Sequence, residues 1–167
     1  MELRPARAAD LDAVLALDRT CSPVFARRDA YAPQLAEPHL LLVARGDTGL
    51  LGFASWTAVV DEATLVNIAV DRRCRRAGLG RRLMERSCAL LAGRGIRRLL
   101  LDVRESNAPA RRLYDACGFA VDGRREAYYA AGDAGGAREA ALLMSADATG
   151  APVVPVTAPC SAGNRRP

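Results

Sequence analysis

Arg75-Arg76-Ala77-Gly78-Leu79-Gly80 stands between an apolar run, Ala63 to Val70, and a helical pattern, Leu79 to Arg94. A glycine-bearing turn from a strand into a helix exposes several backbone N–H groups at the positive end of the helix dipole, which suits a phosphate. Arg72, Arg73, Arg75, Arg76, Arg81 and Arg82 crowd around the turn. Cations at a helix start oppose the dipole, so a bound polyanion explains them better than a solvated helix start does. The turn is not a P-loop, because no Lys-Ser/Thr follows its second glycine. It is not a dinucleotide fingerprint either, because a strand meander and not a βαβ unit precedes it.

The remaining composition narrows the class. A chain of 167 residues suits one domain with a real core. All 24 basic residues are Arg, and two of them, Arg165 and Arg166, lie beyond the last acid, Asp147. Residues 1–147 therefore carry 22 Arg against 19 acids, a net +3. That is too mild for a dedicated nucleic-acid binder, so no direct nucleic-acid partner is expected. Cys21, Cys74, Cys88, Cys117 and Cys160 form no C-x-x-C pair, which argues against a zinc site or a disulfide framework; no metal is expected. Met1 to Pro5 lacks the apolar core of a signal peptide and no apolar run reaches a membrane span, so a cytoplasmic protein without a membrane partner is expected.

In chain order, Glu2 to Ala6 reads as a short strand. A helix begins at Ala9-Asp10, with Asp10 as its cap and Leu11, Val14, Leu15 and Leu17 on one face. Val24 to Leu35 carries a weaker helical pattern, in which Phe25 and Tyr31 are placed to line a surface groove. Leu40 to Ala44, Leu51 to Val60 and Ala63 to Val70 form an antiparallel meander that delivers the chain to the glycine turn. Leu79 to Arg94 is a helix, and Leu99 to Val103 a strand whose alternation separates Leu99, Leu101 and Val103 from Leu100, Asp102 and Arg104. Asn107 caps a helix from Ala108 to Cys117 that Gly118 stops. Phe119 to Ala127 and Arg138 to Met144 are the last strands, joined by Gly132 to Gly136. The domain is expected to span 1–147, with 148–167 a flexible Pro- and Ala-rich tail. The fold class is mixed α/β (α+β), one mixed sheet with helices on both faces.

Four segments together carry a resemblance. Glu62 to Val70, the R-x-x-G-x-G turn, Leu101 to Asn107 and Leu113 to Phe119 resemble the GCN5-related N-acetyltransferases, and within them are similar to the RimI group, which acetylates the N-terminal alanine of a ribosomal small-subunit protein. The resemblance covers roughly residues 40 to 145. It implies a mostly antiparallel sheet with a splayed parallel strand pair, and acetyl-CoA as co-substrate in the splay. It also implies a protein or peptide N-terminus, most readily that of a ribosomal protein, as acceptor. Carried over by residue, backbone groups at Ile68, Ala69 and Val70 would hold the acetyl carbonyl and pantetheine, and Arg75, Arg76, Ala77, Gly78, Leu79 and Gly80 the pyrophosphate. Asn107 would bond the pantetheine arm. Asp102 would be the general base, where the group has a glutamate, and Tyr114 the general acid. Glu105 is a fallback base of opposite strand parity. Glu62 and Tyr128 would contact the substrate, with Tyr129 beside Tyr128.

Each assignment has a plainer reading: Asp102 as a polar residue on a solvated strand face, Tyr114 as a core aromatic, His39 as structural or exposed. Rival functions are acetylation of a small-molecule amine or a lysine side chain, a catalytically weak acetyl-CoA-binding regulatory module, and an Arg-rich ribosome-associated protein.

Overall fold

A computed structural model of the chain describes residues 1–21, 28–129 and 138–150, without the side chain of Arg28. Seven strands form one sheet: β1 (Glu2–Pro5), β2 (Leu40–Gly46), β3 (Gly49–Val59), β4 (Glu62–Val70), β5 (Arg98–Arg104), β6 (Ala120–Tyr129) and β7 (Glu139–Asp147). Their order across the sheet is β1-β2-β3-β4-β5-β7-β6. Every neighbouring pair is antiparallel except β4 and β5. The helices are α1 (Leu11–Cys21), α2 (Arg28–Tyr31), α3 (Leu79–Gly93) and α4 (Ala108–Ala116). The β2-β3-β4 meander and the helix after the glycine turn match the sequence reading.

Two apolar layers cover the two faces. Leu79, Leu83, Met84, Cys88 and Leu91 of α3, with Tyr114 and Cys117 of the α4 end, pack on Leu42, Trp56, Leu65, Leu99, Leu101, Val103 and Met144. The buried set on α3 recurs at 79, 83, 84, 88 and 91, the 3.6-residue stripe that drives a helix onto a sheet. On the other face, Leu11, Val14, Leu15 and Leu17 of α1 pack with Tyr31 on Leu41, Val43, Phe53 and Ala69. This second layer involves β2, β3 and β4. Past β4 the same face carries Asp102, which is exposed.

The structure corrects three expectations. Asp10 does not cap α1. It closes a short 3-10 turn (Ala8–Asp10) and accepts from the Arg7 backbone N–H at 2.8 Å, while Arg4 of β1 and Arg45 of β2 donate to it at 2.7 and 2.8 Å. Tyr31 does not line a surface groove: it is 1% exposed and meets Phe53 edge-on at 5.4 Å. Ala148 belongs to the fold: it is buried, and its N–H donates to the Arg97 carbonyl at 2.8 Å. Phe25, the loop Gly132 to Gly136 and residues 151–167 lie outside the described residues. His39 is structural, its Nδ1 accepting from the Ala58 N–H at 3.0 Å. Among the described residues no helix is long and apolar enough to cross a membrane.

The Arg4 hydrogen bond, with those from the Arg7 backbone and Arg45, lowers the Asp10 carboxyl to about 2 against the cost of its burial. A depressed carboxylate stabilises the fold fully above its unfolded value near ~4, and that stability is lost as pH falls through about 2. Asp10→Asn is therefore expected to cost about 2 kcal/mol at pH 7 and to flatten acid unfolding between about pH 4 and pH 2, measured by urea titration across that range.

Candidate active site

The sheet is open at one place. Parallel pairing of β4 with β5 holds for Glu62↔Arg98, Ala63↔Leu99 and Thr64↔Leu100 and then stops, although β4 runs on to Val70 and β5 to Arg104. The cause lies in β4. Against β3, Ser55 pairs with Asn67 and Trp56 with Leu65, so Val66 is an inserted residue, a β-bulge that bends the strand away from β5. An inserted residue also reverses the alternation of side chains. Ala63 and Leu65 sit in the α3-side core, and beyond the bulge Ile68 and Val70 pack against that same core, while Ala69 joins the α1-side cluster. Val66 is left 49% exposed.

The mouth of the split is furnished from three elements. Asp102 on β5 faces away from the α3-side core and is exposed. Tyr114 on α4 is 5% exposed, its ring 6.1 Å from Phe119. Tyr129 ends β6, where four residues, Glu126 to Tyr129, span the interval that β7 covers in two, from Ala141 to Glu139. That double insertion, with Ala127 at φ 50°, re-aims the end of the strand. Tyr129 stacks edge-on with Tyr128 at 5.1 Å and lies under the Arg104 guanidinium at 4.3 Å.

Electrostatics connect these groups. Burial first, and then the charge of Asp102, raises the pKa of Tyr129. Burial first, and then Tyr129, raises that of Tyr114, well beyond the ordinary phenol range. Both phenols are thus neutral donors at any physiological pH. Glu105 points elsewhere: Arg124 holds it bidentately at 2.8 and 3.1 Å, and that hydrogen bond lowers its pKa and weakens it as a base.

The glycine turn lies at the C-terminal end of β4. Gly78 caps α3 in the left-handed region at φ 78°, with no side-chain cap and no acid in the first turn of the helix. The first intrahelical bond runs from the Arg82 N–H to the Gly78 carbonyl, so the N–H groups of Leu79, Gly80 and Arg81 have no acceptor within the helix. Of the six Arg, Arg73 pairs with Asp71 and Arg81 with Glu85. Arg75 folds back, donating to the Val70 carbonyl at 3.0 Å and lying 3.3 Å from the Cys21 sulfur. Arg72, Arg76 and Arg82 make no ion pair among the described residues. Gly80 has a packing reason: a Cβ there would stand 3.3 Å from Leu113 of α4.

Asn107 resolves a conflict that its two expected duties raise. Its Oδ1 accepts from the Ala110 N–H at 3.2 Å, capping α4, and this leaves the Nδ2 group for another acceptor. Glu62 is not brought to the mouth. It sits at the closed end of the β4–β5 pair, 3.6 Å from Arg98. Tyr128 is at the open end, 43% exposed.

A family model described as the acetyltransferase (GNAT) family matches residues 11–119. The chain belongs to the GNAT acetyltransferase family. It is 40% identical over 115 residues to the ribosomal protein bS18 alanine N-acetyltransferase of Escherichia coli strain K12, covering 69% of this chain and 76% of that one. The putative enzyme of the same name from Bacillus subtilis strain 168 is 32% identical over 130 residues, 76% of this chain and 85% of its own. Among solved structures, the ribosomal-protein-S18-alanine N-acetyltransferase from Escherichia coli superposes with a TM-score of 0.79 at 34% identity, covering 87% of this chain and 92% of that one. Ard1 from Thermoplasma volcanium, at 22% identity and a TM-score of 0.73, shares the fold.

The acetyl-CoA used by GNAT acetyltransferases fits the residues present. A phosphate bridge needs donors without acceptors and unpaired cations, which the start of α3 and Arg72, Arg76 and Arg82 offer. A slender amide-bearing arm needs an unpaired strand edge, which β4 offers beyond Thr64. Nothing lies within 4 Å of where a Gly78 Cβ would be, so only its positive φ demands glycine. Gly78→Ala is expected to lower stability by about 1 kcal/mol and to weaken acetyl-CoA binding about tenfold, read by thermal melts and calorimetric titration.

Proposed function

We propose that this acetyltransferase transfers the acetyl group of acetyl-CoA to the N-terminal amine of a protein that begins with alanine, a ribosomal protein in the first instance. The observation that carries the reading is the split between β4 and β5, with the glycine turn at its end and Asp102, Tyr114 and Tyr129 at its mouth. The named activity of the 40%-identical Escherichia coli relative supports the choice of acceptor.

Acetyl-CoA supplies an activated acetyl thioester; the chain supplies position and protons. The amides of β4 from Ile68 to Val70 hold the acetyl carbonyl and aim an N–H dipole at the charge developing on its oxygen, the term that contributes most in such sites. The start of α3, with Arg76 at hand, holds the pyrophosphate, and the Asn107 Nδ2 group holds the pantetheine arm. An α-amine has a reference pKa near ~8, so roughly a tenth is neutral at pH 7 and the base has modest work. Asp102, on the open face, takes the proton that the amine sheds, directly or through one water. Tyr114, kept neutral by its surroundings, gives a proton to the departing thiolate. Tyr128 and Tyr129 wall the peptide on the side of β6. Glu62, tied to Arg98 at the closed end, takes no part in this arrangement.

Thiol release from acetyl-CoA with a peptide beginning Ala-Arg is expected, and none with the same peptide N-terminally blocked. Turnover of a blocked peptide that contains lysine would instead indicate side-chain acetylation. Binding of acetyl-CoA without turnover would indicate the regulatory module.

Tyr114→Phe is expected to cut kcat by about a hundredfold with acetyl-CoA affinity changed less than about threefold; equal loss in both removes its role as acid. Because the Tyr114 pKa is raised, its neutral form persists to higher pH than that of an ordinary phenol. The pH–rate profile of the wild type should accordingly show no falling limb below about pH 10. Asp102→Asn with full activity would remove the base.

A further inference from the structure

The bulge that opens the split is not explained by the apolar pattern of β4. Had β4 run straight, Ala63, Leu65, Asn67 and Ala69 would share the α3 face, and Thr64, Val66, Ile68 and Val70 the α1 face. With the bulge, Ala63, Leu65, Ile68 and Val70 face α3, and Asn67 and Ala69 face α1. Ile68, Ala69 and Val70 are apolar and meet an apolar layer in either register. Asn67 is the one residue for which the two registers differ in kind. In the straight register its amide would enter a layer built of Leu65, Leu83, Met84 and Leu91. In the bulged register it reaches α1 and α2. There its Nδ2 donates to Asp18 Oδ1 and to the Tyr31 hydroxyl, both at 2.8 Å. Asp18 and Tyr31 are each 1% exposed, so neither finds water in place of that amide. Asp18 also acts on the Tyr31 hydroxyl, which ties the three residues together.

We infer that the hydrogen-bonded group Asp18–Tyr31–Asn67 is the pin that selects the bulged register of β4, and that it thereby holds the acetyl-CoA cleft open. The inference rests on the functional reading above only in taking the split as the cleft for acetyl-CoA. Asn67 acts through the backbone of β4 and is a positioning residue. Its contact to Asp18 crosses 49 positions of sequence, so the first helix of the chain sets the geometry of a strand edge that it does not itself line. A polar side chain that finds hydrogen-bond partners in one register and apolar neighbours in the other specifies register by making the alternative costly.

The test is Asn67→Val, which removes the selection and leaves a side chain suited to either face. Without any ligand, hydrogen exchange of residues 65–70 and 101–104 should slow in the variant, because β4 and β5 can now pair beyond Thr64 and Leu100. Acetyl-CoA affinity of the folded variant should fall at least about tenfold, whereas a merely structural role would lower the melting temperature and leave that affinity intact.

A second comparison holds if Asn67→Val does not fold. Asn67→Asp alone should lose acetyl-CoA affinity, and Asn67→Asp with Asp18→Asn, which rebuilds the same contact reversed, should regain most of it. Unchanged exchange in a folded Asn67→Val, or a double variant no better than Asn67→Asp alone, would overturn the inference. Failure of the wild type to bind acetyl-CoA would strike the functional reading instead, and the exchange comparison would still decide the pin.

Discussion

Three residue pairs hold β4 to β5, and the rest of the site follows from the fact that there are only three. A fully zipped parallel pair would satisfy its own backbone and offer nothing to a ligand. The bulge at Val66 stops the ladder, and two strand edges with unused hydrogen-bonding groups then face one another across a notch. β5 does not follow β4 in bending, because its other edge is paired with β7 along its whole length, from Arg98↔Asp147 to Arg104↔Ala141. One strand is held and the other is bent, which is why the opening is a wedge between them.

What surrounds the wedge is consistent with its use. The end of β4 runs into the glycine turn, so the unpaired strand edge continues into the uncapped start of α3. Arg75 bridges the two by donating to the Val70 carbonyl, which spends its side chain on the frame of the site and leaves Arg72, Arg76 and Arg82 as the unpaired cations. α4 approaches α3 closely at Gly80, a contact that fixes the helix carrying Tyr114 relative to the turn. The face on which Asp102 lies carries α1 and α2 over the meander side of the sheet, so that face presents a covered half and a half with an exposed carboxylate.

Much of this was legible in the sequence. The meander, the glycine turn, the Asn107 cap and the alternation of β5 each depend on local rules: period, turn residues, capping. The features that were missed depend on partners far away in the chain. The apolar residues of Ala63 to Val70 do not mark Val66 as inserted, since they tolerate either register. Tyr31 reads locally as part of a weakly periodic stretch, and its burial comes from Phe53, Asn67 and Asp18. Asp10 has the chemistry of a helix cap, yet Arg4 and Arg45 claim it from two strands. Glu62 was drawn toward the site by its motif, although the parallel register puts it at the closed end. The polar Asn67 inside the otherwise apolar stretch Leu65 to Val70 was the available signal for the bulge, and it calls for a partner that the strand itself does not contain.

The account stands on the claim that the cofactor lies along one continuous path, from the β4 edge through the glycine turn to Asn107. Backbone amide chemical shifts recorded while acetyl-CoA is added would trace that path directly. The largest changes should fall on Ile68 to Val70, on Arg75 to Arg82 and on Asn107, with little change at Glu62 and Arg98 at the closed end. Changes concentrated at the closed end or on β1 and β2, with the β4 edge and the glycine turn unmoved, would contradict it.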